Sequence, residues 1–218
     1  MKKMFVFVLV ILSLFAFVGC DSDKAQIETQ VKEDSVQEFL DFKDAYTSIT
    51  EAMGVVDVDI LDSNESSPKT IDYSTYLSAD FEDVIWKLQY QGYLPYSTEE
   101  EEVSFSETKG KGSVVSTLNF NSETKIGKAT SEAKDVAITF KYTKGSKDFS
   151  STYKVSGKLV VESTDGKTGT RVYSGWKVNG TEYGDIVFFS EDVNTSKLAS
   201  VTYNGKKIDQ RLIDDLFN

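Results

Sequence analysis

Two stretches decide the fold: Val136-Ala137-Ile138-Thr139-Phe140-Lys141-Tyr142 and Tyr153-Lys154-Val155-Ser156-Gly157-Lys158-Leu159-Val160-Val161. In the first, Val136, Ile138, Phe140 and Tyr142 alternate with smaller or polar neighbours. In the second, Tyr153, Val155, Gly157, Leu159 and Val161 do the same. A period of two places successive side chains on opposite faces, which is the pattern of an antiparallel sheet with one face buried and one wet. Between the stretches lies Lys144-Gly145, a turn signal of the kind that lets adjacent strands form a hairpin.

The pattern extends outward in both directions. Val114, Ser116, Leu118 and Phe120 precede it, while Val172, Ser174, Trp176 and Val178 follow, with further strands predicted over 183–189 and 198–203. Asp165-Gly166, Asn179-Gly180 and Asn204-Gly205 supply residues that accept positive φ, so the strands are expected to follow one another as a meander. Lys109-Gly110-Lys111-Gly112 lacks the spacing of a phosphate-binding loop and reads as a turn ahead of the sheet. N-terminal to the sheet the period becomes helical. Ser35 and Glu38 have capping-box spacing, and Val36, Phe39, Leu40, Lys43, Tyr46, Ile49 and Met53 form a mostly apolar stripe ending at Gly54. Val56, Val58 and Ile60 suggest a short strand, and Phe81, Val84, Ile85 and Leu88 a second helix over 80–91. Leu212, Ile213, Leu216 and Phe217 suggest a short closing helix. The expected class is therefore α+β: N-terminal helices, a six- or seven-stranded antiparallel meander and a C-terminal helix.

The N-terminus carries a different signal. Lys2 and Lys3 precede an apolar run from Met4 to Val18, which is followed by Gly19, Cys20 and the acidic Asp21 and Asp23. This is the layout of a secretory signal peptide, and the run is shorter than the ~20 residues a spanning helix needs. Its end, Phe17-Val18-Gly19-Cys20, resembles the lipobox of bacterial lipoproteins, with Phe17 where Leu is common, a looseness similar to that of spirochaete sequences. The resemblance implies cleavage between Gly19 and Cys20, diacylglyceration of the Cys20 thiol, acylation of the new amino group, and anchoring in the bacterial cell envelope, facing the periplasm or the outside. Several acyl chains make such anchoring stable, at ~0.8 kcal/mol per buried methylene. No domain family is recognised in the remainder. The expected organisation is a cleaved signal peptide (1–19), an acidic flexible tether (20–33) and one α+β domain (34–218), with a helical part over 34–96, the sheet over 113–205 and the closing helix over 208–217.

Composition narrows the chemistry. The 218 residues include no histidine and one cysteine, which excludes imidazole-based catalysis, imidazole metal ligation and internal disulfides. With 24 basic and 35 acidic side chains the net charge is -11, and loss of Lys2 and Lys3 with the leader would take it to -13. That balance opposes generic nucleic-acid binding, which depends on clustered cations. Asp57, Asp59, Asp62, Asn64 and Glu65 form the densest group of oxygen donors, but the group lacks the spacing of a calcium loop. Ser131 and Lys134 stand three apart, without the glycine-rich loop of a Ser-Lys catalyst. Tyr73, Trp86, Tyr93 and Trp176, with Tyr76, Tyr96 and Tyr173, are candidates to stack on a ligand, although such residues also serve as ordinary core-edge side chains. Neither a cofactor nor a metal is expected. The function expected is a non-catalytic, lipid-anchored envelope protein that binds a ligand or a partner protein. Alternatives are a carrier of a lipid or other apolar ligand in a curved sheet, and a hydrolase working through two carboxylates.

Overall fold

The computed structural model describes residues 22–58, 68–121, 123–195 and 198–217, with side chains from residue 35 onward apart from 215 and 217. Gly19, Cys20, Asp59, Asp62, Asn64 and Glu65 lie outside the described residues. Residues 38–218 form one compact unit, described below; residues up to 37 fall in another, in which helix α1 (Ser22–Val55) is already under way. That helix begins ahead of the expected Ser35, so the segment expected as a tether is helical from Ser22 onward.

The sheet is antiparallel and has nine strands: β1 (Lys69–Asp72), β2 (Val103–Asn121), β3 (Ile126–Lys144), β4 (Lys147–Ser163), β5 (Gly169–Val178), β6 (Thr181–Glu182), β7 (Ile186–Ser190), β8 (Ser200–Tyr203) and β9 (Lys206–Lys207). Its order, β1-β2-β3-β4-β5-β7-β8-β9 with β6 paired only to β5, is a meander, as the turn signals require. Gly145, Gly166, Gly180 and Gly205 all have positive φ at those turns, with Asn179 and Asn204 both at 50°. The strand count exceeds the six or seven expected. β1 carries no alternation strong enough to notice, β6 and β9 are two-residue pairings, and the strand expected over 183–189 runs from Ile186 to Ser190.

Glycine inside strands caused the largest departures. Gly110 and Gly112 do not form a turn: they lie within β2, which starts at Val103 instead of near Ser113. Gly110 has no room for a side chain, since a Cβ would lie 2.7 Å from the Tyr73 Cβ and 2.8 Å from the Phe81 ring. Gly112, at φ 81°, sits at a register shift opposite Asp135. In β3 a shift between Ala133 and Val136 moves the buried set from Ala129, Ser131 and Ala133 to Val136, Ile138 and Phe140. In β5, Gly175 (φ 61°) accompanies a comparable shift. Trp176 is buried as expected, but before the shift the inward residues are Tyr173 and Arg171 in place of Ser174 and Val172. A bulge adds one residue to one strand and so exchanges its faces.

The C-terminal part of α1 packs on the inward face. Phe42, Ala45, Ile49, Ala52 and Val55 recur at helical spacing and are fully or almost fully buried, so the inward face is rotated from the expected stripe, of which only Ile49 is fully buried while Val36, Leu40 and Lys43 are exposed. Phe42 meets Phe188 at 6.2 Å and Tyr203 at 6.5 Å, and Tyr46 meets Phe188 at 5.4 Å and Tyr173 at 5.9 Å, all edge to face. Val56 and Val58 follow the helix as buried residues rather than as the expected strand. A 3-10 turn (Ser78–Phe81) leads into α2 (Glu82–Tyr90), which buries Val84 and Leu88, so the helix expected over 80–91 is α only from Glu82. Lys87 of α2 joins Asp57 at 3.2 Å, and the Gln91 amide donates to the Glu51 carbonyl. The closing helix, α3 (Gln210–Phe217), buries Ile213. No described helix is long and apolar enough to cross a membrane.

Candidate functional site: a cleft at one end of the sheet

The aromatic residues singled out in the sequence do not converge. Tyr73 is buried beside Tyr76 and Phe81, at 5.2 and 6.3 Å, and burial holds its phenol well above the usual tyrosine range. Trp176 is buried against Gly157, with its indole N–H donating to the Lys158 carbonyl at 3.1 Å. Tyr93 packs edge to face on Tyr153 and donates its hydroxyl to the Thr152 carbonyl at 2.8 Å. These three are therefore structural contacts of the core. Trp86, by contrast, is 58% exposed and stacks on Tyr90 with ring centroids 5.8 Å apart. Asp57 is engaged by Lys87, and the other members of its acidic group lie outside the described residues. Ser131 shares a 2.6 Å hydrogen bond with Ser116, while Lys134 approaches Glu132, so no Ser-Lys pair forms.

A cavity lies elsewhere on the inward face, and the sheet register explains it. Partners across antiparallel strands project to the same side. The innermost of three consecutive rows is Ser116, Ser131, Leu159, Tyr173, Ile186 and Tyr203, part of it covered by α1. The next is Leu118, Ala129, Val161, Arg171, Phe188 and Val201. The outermost has Phe120, Gly127 and Ser163, and beyond them Gly169 paired with Ser190. Four of these five residues have at most a hydroxymethyl group, and two of the four have no side chain. The inward face is therefore shallow at this end, and the space above it is not filled.

The result is a cleft of about 940 Å³ bounded by Phe120, Val161, Ser163, Phe188 and Ser190 of the sheet, Tyr46 of α1, Ile213 of α3, and Val193 and Leu198 of the segment between β7 and β8. That segment is built on hydrogen bonds. The Ser190 hydroxyl donates to the Asp192 carbonyl, Asp192 accepts from the Asn194 backbone, and the Val193 N–H donates to the Lys167 carbonyl at 2.7 Å. The Gln210 amide ties α3 to it, donating to the Leu198 carbonyl at 3.3 Å and to Asp214 at 2.9 Å. Glu162 and Asp214 also reach the lining, but Lys128 holds Glu162 at 3.1 Å.

Arg171 is the one cation lining the cleft among the described residues. Its neighbours across the sheet are Val161 and Phe188. Tyr173, in the next row, is pushed up to about 12 by burial; the Tyr46 side chain adds to the rise and the Arg171 guanidinium opposes it. All three polar groups therefore meet at the inner edge of the cleft. Sequence reasoning missed Arg171 because simple alternation through Val172, Ser174 and Trp176 puts it on the wet face. Gly175 was the available signal, since an isolated glycine in a strand marks a bulge.

Both edges of the sheet are also modified. On β2, where β1 does not reach, the Ser78 hydroxyl accepts from the Thr108 N–H at 3.1 Å and donates to the Thr108 carbonyl, occupying the edge groups a partner strand would use. The other edge is the two-residue β9, composed of Lys206 and Lys207. Compared with known protein families, curated proteins and solved structures, the chain matches none.

Proposed function

We propose that this is a lipid-anchored protein of the bacterial cell envelope, held by acylated Cys20, whose domain binds an apolar small molecule without chemical turnover. The observation that carries the binding half is the cleft: about 940 Å³ bounded largely by Tyr46, Phe120, Val161, Phe188, Val193, Leu198 and Ile213. Its size lies within the ~300–1,000 Å³ typical of small-molecule sites, and an apolar lining with few polar groups is their usual composition. The β2 edge groups occupied at Thr108 and the two-lysine β9 edge favour this reading over strand addition by a partner protein. The anchoring half rests on Phe17-Val18-Gly19-Cys20 and on Cys20 being the chain's one thiol.

The two halves are tested separately. Radiolabelled palmitate is expected to enter the wild-type chain and not Cys20→Ser; incorporation that survives the substitution refutes the anchor. For the cleft, the full chain in phosphatidylcholine vesicles is exposed to hexadecanol carrying a terminal diazirine, irradiated and mapped by peptide mass spectrometry. Labelling is expected on cleft peptides and is expected to fall in Ser163→Phe, which puts a ring into the shallow row. If cleft peptides are not labelled above the rest of the chain, the binding reading fails.

A further inference from the structure

We infer that the cleft selects an amphiphile with a single negative charge, a long-chain carboxylate, and that Arg171 is the residue that recognises its head. This inference rests on the apolar-binding reading above and names the ligand class.

The row that contains Arg171 is otherwise apolar. It runs Leu118, Ala129, Val161, Arg171, Phe188, Val201 across six strands, with Ala129, Phe188 and Val201 buried. Arg171 itself is exposed, so its guanidinium stays accessible where it lines the cleft, and packing of the row does not require a charge there. The chain is also sparing with this residue type: of its 24 basic side chains, 22 are lysine and two are arginine. The other, Arg211, is engaged by Asp209. Arg171 forms no ion pair among the described residues.

A guanidinium presents a rigid fork of donors that matches a carboxylate in bidentate fashion, whereas an ammonium is a point charge. Arg171 is the one cation among the described lining residues, beside Asp214, which accepts from the Gln210 amide, and Glu162, which Lys128 holds, so the cleft offers at most one positive charge to a ligand. A phosphate monoester, with up to two charges, would call for more donors. Tyr46 and Tyr173 border the same place, with ring centroids 5.9 Å apart, and bring neutral phenol hydroxyls to it. Phe120, Val161 and Ile213 then offer apolar surface to the chain that follows the head. The overall acidity of the protein adds discrimination: an anion is disfavoured across an acidic surface and favoured at the cation that lines the cleft.

The experiment uses the full chain in phosphatidylcholine vesicles with three photoprobes of equal chain length and terminal diazirine: palmitic acid, hexadecanol and hexadecyl phosphate. In the wild type the acid is expected to label cleft peptides about tenfold more than the alcohol at equal membrane content, the scale of one charge-assisted contact at a half-open site. Arg171→Gln is expected to bring acid labelling down to that of the alcohol, with thermal melting unchanged. Arg171→Lys, which keeps the charge without the fork, is expected to retain only part of it. Equal labelling by acid and alcohol in the wild type, or an acid preference that persists in Arg171→Gln, overturns the head-group assignment and leaves the cleft reading standing. Stronger labelling by the alkyl phosphate also overturns it. If no probe labels the cleft, the apolar-binding reading fails instead.

Discussion

Gly157 is the position where one methyl group should do the most damage. A Cβ there would lie 2.7 Å from the indole Cγ and Cε3 of Trp176, and nearer still to Cδ2. Trp176 cannot easily give way: it is 1% exposed, its N–H is committed to the Lys158 carbonyl, and it stands where β4 and β5 shift register. Gly157 also has φ 152°, a backbone region that side-chain-bearing residues rarely adopt. Two costs therefore add in Gly157→Ala: about 1–2 kcal/mol for the backbone and about 1–3 kcal/mol for overpacking against a fixed ring. The sum is about 3 kcal/mol, a large part of the ~5–15 kcal/mol that holds a typical domain together. Equilibrium urea unfolding followed by far-UV circular dichroism measures it. The same substitution in a Trp176→Leu background removes the collision and should cost only the backbone share, giving a coupling of about 2 kcal/mol in the double-mutant cycle. A Gly157→Ala protein within ~0.5 kcal/mol of wild type would refute the reasoning. So would an equal loss in both backgrounds, since the ring would then not be the cause.

Phe42→Ala should cost about 3–5 kcal/mol because the ring is fully buried between Phe188 and Tyr203, whereas Leu40→Ala, one turn face away and 45% exposed, should stay within ~0.5 kcal/mol in the same unfolding assay. Burial first, and Tyr46 second, raise the Tyr173 phenol from 10.0 to about 12, so the folded state holds this proton more tightly than the unfolded chain. The stabilisation is thus fully present below pH 10 and lost as pH rises towards 12; Tyr173→Phe should flatten that alkaline limb in thermal melts taken across the interval. Of the two tryptophans, Trp86 is 58% exposed and Trp176 1%, so acrylamide should quench only part of the emission. Trp86→Phe should leave a blue-shifted, quencher-resistant signal with stability changed by less than ~0.5 kcal/mol.

Local chemistry was enough to reveal much of this architecture. Val136 to Tyr142 and Tyr153 to Val161 alternate because each strand has one buried face, and Asn179-Gly180 and Asn204-Gly205 turn because both residues of each pair accept positive φ. Those are properties of neighbouring residues, so they can be read along the chain; the face of α1 could not, since of the expected stripe Val36 and Leu40 are exposed and Phe42, Ala52 and Val55 are buried instead. Three features depended on residues distant in sequence. Lys69 to Asp72 is a strand because β2 offers an edge at Ser113 to Ser116, not because its own pattern is strong. Arg171 faces inward because a shift near Gly175 and Gly157 exchanges the faces of β5, and a local period carries on past a bulge without registering it. The cleft exists because Gly127, Ser163, Gly169 and Ser190, spread over four strands, fall in one shallow row beside the end of the helix-covered face. Each is an ordinary small residue in its own strand; only the register, which is a relation between strands, turns them into a space that a ligand can enter.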